Sequence, residues 1–366
     1  MIEARAPGRV NLIGEHTDYN GGFVMPCAIG YGTHARGSER AGRAVVVRTG
    51  DDEAVFDLDG LSAPRSGDWR DYVRGVLGEL GAGGVALRGA DLSVSGTLPI
   101  GAGLSSSASF EAALALALLA IAETAMEKTP LALLLQRAEI DYVGTRCGIM
   151  DQFAVLHARS SSALLLDTRS LTFEEVAIPA SLAIVICNSM VEHHLAAAGA
   201  YNERRRECEE SVARLRTRFP DIRDLRDVSA AQLVQARDLL PSPLYERCRH
   251  VVGENARVLE AAAALRSRDF PLLGALMAAS HASLRDDYAV SCDELDALVR
   301  LAGEFPGTIG ARMTGGGFGG CTVNIVERRD AEAFSAYIAA AYRHETGIGP
   351  EIYDGTPVAG ASIAGG

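Results

Sequence analysis

The sequence predicts an α+β fold in two domains. Three observations carry this. The chain has 366 residues, and at about 150 residues per domain that is enough for two. Strand-like and helix-like segments mix without a strict strand–helix–strand rhythm. After a junction expected between Leu164–Asp167 and Leu182–Cys187 the pattern becomes helical. With 48% apolar and 22% charged residues the composition is that of a globular protein, which excludes disorder as the main state.

The elements follow in order. Val10–Ile13 and Phe23–Met25 are short apolar runs on either side of Asn20-Gly21-Gly22, a hairpin-like turn signal. Val45–Arg48 and Leu92–Gly96 read as strands by alternation and β-branching. Ser107–Glu123, rich in Ala and Leu, reads as a helix; its apolar run Ala112–Ala122 is too short to span a bilayer. Asp151–His157 reads as a short apolar helix. Leu164–Asp167 and Leu182–Cys187 are further strands, with the domain junction expected between them, giving residues 1–168 and 169–366. Tyr201–Arg218 is a charged helix with Arg205/Glu209 and Arg206/Glu210 spaced i,i+4, and its Arg204–Glu210 stretch reads as a solvated face. Cys248–Leu265 and Asp269–Ser280 are amphipathic helices. Ser291 to Glu294 has the spacing of a capping box opening a helix through Leu301. Cys321–Val326 is a strand and Ala331–Tyr342 a helix.

Charge narrows the chemistry. Acids outnumber bases 47 to 35, a net charge of −12, which argues against a nucleic-acid or anionic-membrane partner. Lys128 is the only lysine. A Walker-A loop, a protein-kinase fold and a pyridoxal-phosphate Schiff base each need a placed lysine, so all three are excluded. Lys128 itself reads as an exposed helix end. Any phosphate chemistry falls to arginine, backbone N–H groups and metal. The seven cysteines are odd in number and show no CxxC spacing. They read as free thiols in a reducing cytoplasm rather than a disulfide framework or zinc site. MIEARAPGRV is not a signal peptide.

Four segments carry chemistry. Pro99-Ile-Gly-Ala-Gly-Leu-Ser-Ser-Ser-Ala-Ser109 follows a strand and opens the long helix. Its glycines, hydroxyls and helix N–H groups make either an anion cradle with a Mg²⁺-ligating hydroxyl at Ser107 or a flexible N-capped start. In Thr314-Gly-Gly-Gly-Phe-Gly-Gly320 the spacing Gly315-x-Gly317-x-x-Gly320 mimics a dinucleotide fingerprint, but a strand follows instead of a helix, so that reading fails. The string suits close backbone approach or a tight bend. Arg9 to Asn20 packs an arginine, two carboxylates, a histidine, amides and a hydroxyl around one turn. This is either a sugar-hydroxyl site or a loop with an internal Arg–Glu pair. Asp151 heads a short apolar helix, as its cap or as a catalytic group. Adjacent His193 and His194 read as surface residues, and the lone Trp69 as core.

These segments together resemble the galactokinase family of the GHMP small-molecule kinases, over nearly the whole chain. PGRVNLIGEHTDYNGG (7–22) matches the family signature, and PIGAGLSSSAS (99–109) and TGGGFGG (314–320) match the superfamily's two glycine motifs. CGIMDQF (147–153), YNERRRECEE (201–210), RHVVGE (249–254) and SCDELD (291–296) add to the match. Mevalonate and homoserine kinases share versions of the glycine loops but lack EHTDYN.

The resemblance implies a two-domain GHMP kinase fold, ribosomal-protein-S5-like at the N-terminus and ferredoxin-like at the C-terminus, with the active site in the cleft. It implies ATP-dependent phosphorylation of the C1 hydroxyl of D-galactose to galactose 1-phosphate and ADP, the first committed step of galactose metabolism. Gly101, Ala102, Gly103, Leu104, Ser105, Ser106 and Ser107 would wrap the ATP phosphates, with Gly316 and Gly317 packed against them. Ser107 and Glu139 would ligate Mg²⁺. Glu15, His16, Thr17 and Asp18 would bind the sugar, joined by Gly148, Asp151 and Tyr201. Asp151 would be the catalytic acid/base and Arg9 its partner; Trp69 would lie near the adenine. The implied partners are the sugar and ATP, with no nucleic acid and no membrane, in a cytoplasmic monomer or weak homo-oligomer.

Two alternatives stay open: a kinase for N-acetylgalactosamine or L-arabinose, and a non-catalytic sugar- and ATP-sensing paralogue. The intact Gly101–Ser109 loop favours an enzyme. Two departures are noted. Family members carry roughly a further helix's worth of chain before the first motif, where six residues precede Pro7 here, so the start lies upstream or the sugar domain lacks a lid. Glu192 stands where many relatives have a basic residue.

Overall fold

The computed structural model describes residues 1–61, 64–99, 101–191 and 194–364. The chain runs through β1 (Ile2–Asn11), β2 (Phe23–Val24), β3 (Pro26–Glu39), β4 (Ala44–Thr49) and β5 (Asp52–Asp57) to α1 (Trp69–Ala82) and β6 (Ala90–Gly96). Next come α2 (Ser106–Ile121), α3 (Lys128–Ala138), a π-helical turn (Glu139–Val143) and α4 (Met150–His157). β7 (Ser162–Asp167), β8 (Thr172–Ala177) and β9 (Leu182–Asn188) precede α5 (His194–Leu215), α6 (Ala230–Gln235), α7 (Leu244–Ser267), α8 (Phe270–Asp286) and α9 (Asp293–Glu304). The chain ends with β10 (Thr308–Met313), β11 (Cys321–Glu327), α10 (Ala331–Thr346), β12 (Glu351–Asp354) and β13 (Ser362–Ile363).

Among the described residues three sheets form, ordered β13-β1-β3-β6-β4-β5, β10-β11-β9-β12 and β2-β7-β8. Of the strand pairs among the described residues only β4–β6 is parallel. α2 is apolar on every side because it is packed on every side: its alanines and leucines sit against β1, β3, α1 and α4 in the N-terminal core. The apolar run of β9 splits by the two-residue period. Leu182, Ile184 and Ile186 face α7, α8 and the strand ends of the N-terminal half, while Ala183, Val185 and Cys187 face α9 and α10. The core that includes Val10, Leu12 and Ile13 of the N-terminal segment and Val323 of β11 is therefore common to both halves. The expected junction at 168/169 falls within the β7–β8 hairpin, and β13 returns to the outer edge of β1.

Several local expectations change. Asn20-Gly21-Gly22 does bring two apolar runs together, Leu12 and Met25 pairing through backbone bonds, but at the end of a longer loop with a helical turn at Asp18–Asn20. The capping box at Ser291 does not form: Cys292 is the cap residue of α9, and the Ser291 hydroxyl instead donates to Asp296 (2.6 Å). The helix expected to reach Arg218 ends at Leu215, and the one expected to end at Ser280 runs on to Asp286. Lys128 is a half-buried helix start, its Nζ donating to the Leu156 carbonyl (2.7 Å) near the end of α4. Within Arg204–Glu210 the i,i+4 pairs form on the surface, but Glu207 is buried against Arg247 (2.8 Å). Glu192 and His193 lie outside the described residues.

Among the described residues no helix is long and apolar enough to cross a membrane. All seven cysteines are free thiols.

Candidate active site

Asp151 is not the cap of α4. Its carboxylate is held by the Arg9 fork from β1, Nε on Oδ1 and Nη2 on Oδ2, both at 2.8 Å. The Ser105 hydroxyl donates to Oδ2 at 2.5 Å. Arg9 also donates through Nη1 to the Gly103 carbonyl (2.6 Å). A bidentate pair of this kind fixes orientation as well as charge. Asp151 stays partly open, with its side chain 25% exposed against 5% for Arg9. Ser105, the residue before α2, has the left-handed conformation (φ 59°) that non-glycine residues avoid. Its hydroxyl is thereby spent on Asp151 rather than on capping α2.

Asp18 does the capping at a distance. It accepts from the Met150 N–H (3.3 Å) at the start of α4. This brings Asp18 against the backbone of Gly148, where a Cβ would lie 1.9 Å from Oδ2. Burial, then the Asp151 charge, push the Asp18 carboxyl up to about 6. His16, also left-handed (φ 63°), packs edge-on or tilted among the rings of Tyr19, Tyr201 and Tyr288, with Nδ1 on the Tyr19 hydroxyl (2.8 Å). Burial, then His250, bring it down to about 3, so its ring is neutral.

The cavity between these groups is walled by Arg9, Asp151, Asp18, Gly148, His16 and Tyr201, with Glu15, Glu139, Gly315 and Gly316 closing it. Thr17 is not brought to it. That side chain is fully buried, and its hydroxyl closes the loop on the Gly14 (2.8 Å) and Phe23 (2.6 Å) carbonyls.

The two glycine segments meet each other. A Cβ on Gly315 would lie 2.8 Å from the Gly103 carbonyl oxygen, so the loops pack backbone on backbone. Of the first loop, Ala102 and Leu104 bury their side chains in the shared core, while Gly101 is exposed and Gly103, Ser106 and Ser107 are half-buried at the start of α2. Gly317 turns away from the cavity, packed on Val290 and Met313.

Glu139 sits on the π-helical turn, a feature common at functional positions. Burial, then Asp151, push it up to about 7, opposed by hydrogen bonding with Ser107 and Gln152. Gln152 Nε2 donates to Oε2 at 2.8 Å. Glu111 of α2 is fully buried nearby, with no hydrogen-bond partner on either oxygen among the described residues. A hydroxyl beside a carboxylate crowded by other acids fits a hard divalent cation, which would relieve that crowding. Trp69 opens α1 half-exposed, donating to Asp52 (3.1 Å) and flanked by Arg70.

Sequence reasoning missed Arg312, Glu254, Ser280, Glu111 and Gln152. The signal for two of them was present. Arg312 interrupts an apolar strand directly before the second glycine string, and Glu254 lies one turn beyond His250 on the buried stripe of α7. Glu15 pairs with this Arg312, not with Arg9.

Residues 2–38 match the family model described as the galactokinase galactose-binding signature. Residues 71–159 and 261–344 match the N-terminal domain and C-terminal GHMP kinase models. The chain is 48% identical to a galactokinase from Roseiflexus sp. (strain RS-1) over 96% of this chain and 90% of that one. It is 44% identical to a galactokinase from Pasteurella multocida over 99% and 94%. The chain belongs to the galactokinase family. The crystal structure of Lactococcus lactis galactokinase complexed with galactose superposes with a TM-score of 0.95 at 35% identity, covering 99% of this chain and 94% of that one. A mevalonate kinase, at TM-score 0.65 and 16% identity, shares the fold alone. Galactokinase membership makes the protein an ATP-dependent sugar kinase of the GHMP fold, with ATP as co-substrate.

Proposed function

We propose that the chain transfers the γ-phosphoryl group of ATP to the C1 hydroxyl of D-galactose, giving galactose 1-phosphate and ADP. The observation that carries this is the bidentate Arg9–Asp151 pair, set between the half-buried start of α2 and a cavity walled by Asp18, His16 and Tyr201. On one side the helix start and the Gly101–Ser107 backbone offer N–H donors for phosphate oxygens. On the other, Asp18 accepts from sugar hydroxyls, and the neutral His16 and Tyr201 donate or accept.

Phosphoryl transfer passes through a loose transition state, so positioning and charge neutralisation dominate. Asp151 orients the C1 hydroxyl and takes its proton late, as the oxygen bonds to phosphorus. Arg9 stabilises the transferring group. Ser107 and Glu139 would hold Mg²⁺, which when bound neutralises charge on the phosphates. Trp69 is proposed to flank the adenine. A cytoplasmic monomer or weak homo-oligomer is the setting we propose.

The test is a panel of D-galactose, N-acetylgalactosamine, L-arabinose and D-glucose with ATP and Mg²⁺, following ADP release and the position of the product phosphate by NMR. Galactose 1-phosphate as the main product is expected. Turnover confined to another sugar, or binding of both ligands without ADP in a single turnover, would overturn it.

The raised Asp18 carboxyl gives a second check. A sugar that needs the carboxylate as acceptor binds best above pH 6 and loses about tenfold in affinity per pH unit below it. Calorimetric titration with galactose, without nucleotide, should show that limb. Asp18→Asn should bind more weakly and without it. An unchanged limb in the variant would remove Asp18 from the role.

A further inference from the structure

Glu15 lines the cavity, yet one oxygen of its carboxylate is held by hydrogen bonds and the other by an ion pair alone. Oε1 accepts from the Gly315 N–H (3.0 Å) and the Thr314 hydroxyl (3.2 Å). Oε2 faces Arg312 Nη2 at 2.5 Å, a pair that is 0% and 2% exposed. Arg312 is in turn fixed from both halves. Its Nε donates to Ser280 of α8 (3.1 Å), and Nη1 reaches the Asn11 carbonyl (3.3 Å). Ser280 donates to Glu254 of α7 (2.6 Å), whose Oε1 also accepts the Gly14 N–H (2.9 Å) and whose Oε2 accepts from Arg257 (2.7 Å). Burial alone would raise the Glu254 carboxyl; His250, Arg257 and Arg312 overcome it and bring it to about 2.

Two acids and an arginine removed from water are a costly arrangement unless every member is held. What this one holds is a shared wall. Gly315 and Gly316 face the sugar cavity on one side, and Gly315 packs on Gly103 of the phosphate loop on the other. The Glu15 carboxylate is the link between the sugar loop and that wall.

We propose that Arg312 is a positioning residue: by holding one oxygen of Glu15 it keeps the other on the Gly315 amide, so that the sugar loop and the phosphate loop are set together and the two ligands assist each other's binding. This rests on the function proposed above. Binding coupling is reciprocal, so it can be read from either ligand.

The experiment measures galactose affinity by calorimetry with and without a non-hydrolysable ATP analogue plus Mg²⁺. In the unaltered protein the analogue should tighten galactose binding by about five- to tenfold, within the range usual for coupled sites. Arg312→Lys keeps the charge but loses the fork. It should bring that factor to within about twofold of unity, with the sugar KM raised more than kcat is lowered. A merely structural role would instead lower kcat through the folded fraction and leave KM unchanged.

Thr314→Val, which removes one hydroxyl from the same carboxylate, should lose part of the coupling and serves if the lysine variant does not fold. Coupling that persists in the variants, or is absent from the unaltered protein, overturns the proposal. Failure of the unaltered protein to bind galactose at all would sink the function instead. The inference rests on that reading and falls with it, whereas absence of coupling in an unaltered protein that still binds galactose counts against the inference alone.

Discussion

Arg9→Ala is expected to lower kcat by a factor on the order of 10²–10⁴, the range for a lost transition-state charge stabiliser. Two losses combine. The transferring phosphoryl group loses its neutralising cation, and in a chain whose single lysine caps α4 no amine stands in for it. Asp151 also loses two of its three donors, Nε and Nη2, and keeps only Ser105. An unpaired Asp151 carboxylate beside Asp18 and Glu139 would drift from its place. Steady-state kinetics with both substrates varied separates these roles. A raised KM with kcat intact would put Arg9 in ground-state binding. Asp151→Asn should fall in the same range, because its amide group meets the Arg9 fork donor to donor. An Asn variant with near-normal turnover would leave Asp151 no proton-transfer role.

Gly148→Ala is expected to cost about 10²–10³ in kcat/KM for the sugar, equivalent to losing one or two hydrogen bonds to a charged group. The added Cβ would lie 1.9 Å from Asp18 Oδ2 and 2.0 Å from its Cγ. No contact that short survives, so Asp18 must swing out, giving up the Met150 N–H and its place in the cavity wall. Gly148 lies in the loop before α4, so the melting temperature should change by only a few degrees. Normal galactose affinity in a folded variant would show that Asp18 can do its work from elsewhere.

How much of this was legible in the sequence depends on the kind of signal. β9 was readable because an apolar run buried on both faces has no polar residue to interrupt it. α2 was readable for the same reason in helical form. β3 was not, since Gly30, Gly32 and Gly37 and a string of half-exposed polar residues break the alternation that marks a strand. The polar turn at Arg9–Asn20 announced a site, but spacing alone could not say which side chain faces in. Thr17 and Asp18 are neighbours, yet one seals the loop from within and the other walls the cavity. Nor could it assign partners. Arg9 and Glu15 look like a pair along the chain, and each binds a residue more than a hundred positions away. The glycines of 314–320 were legible as close approach; that they approach the other glycine loop was not.

The pairing of β13 with β1 sets Ala4 opposite Ile363. The β1 strand therefore keeps one rim unsatisfied until Ser362 and Ile363, far later in the chain, have been synthesised. Such a late closure of distant partners slows assembly, and a ribosome-tethered intermediate would expose that rim to strand exchange with its neighbours.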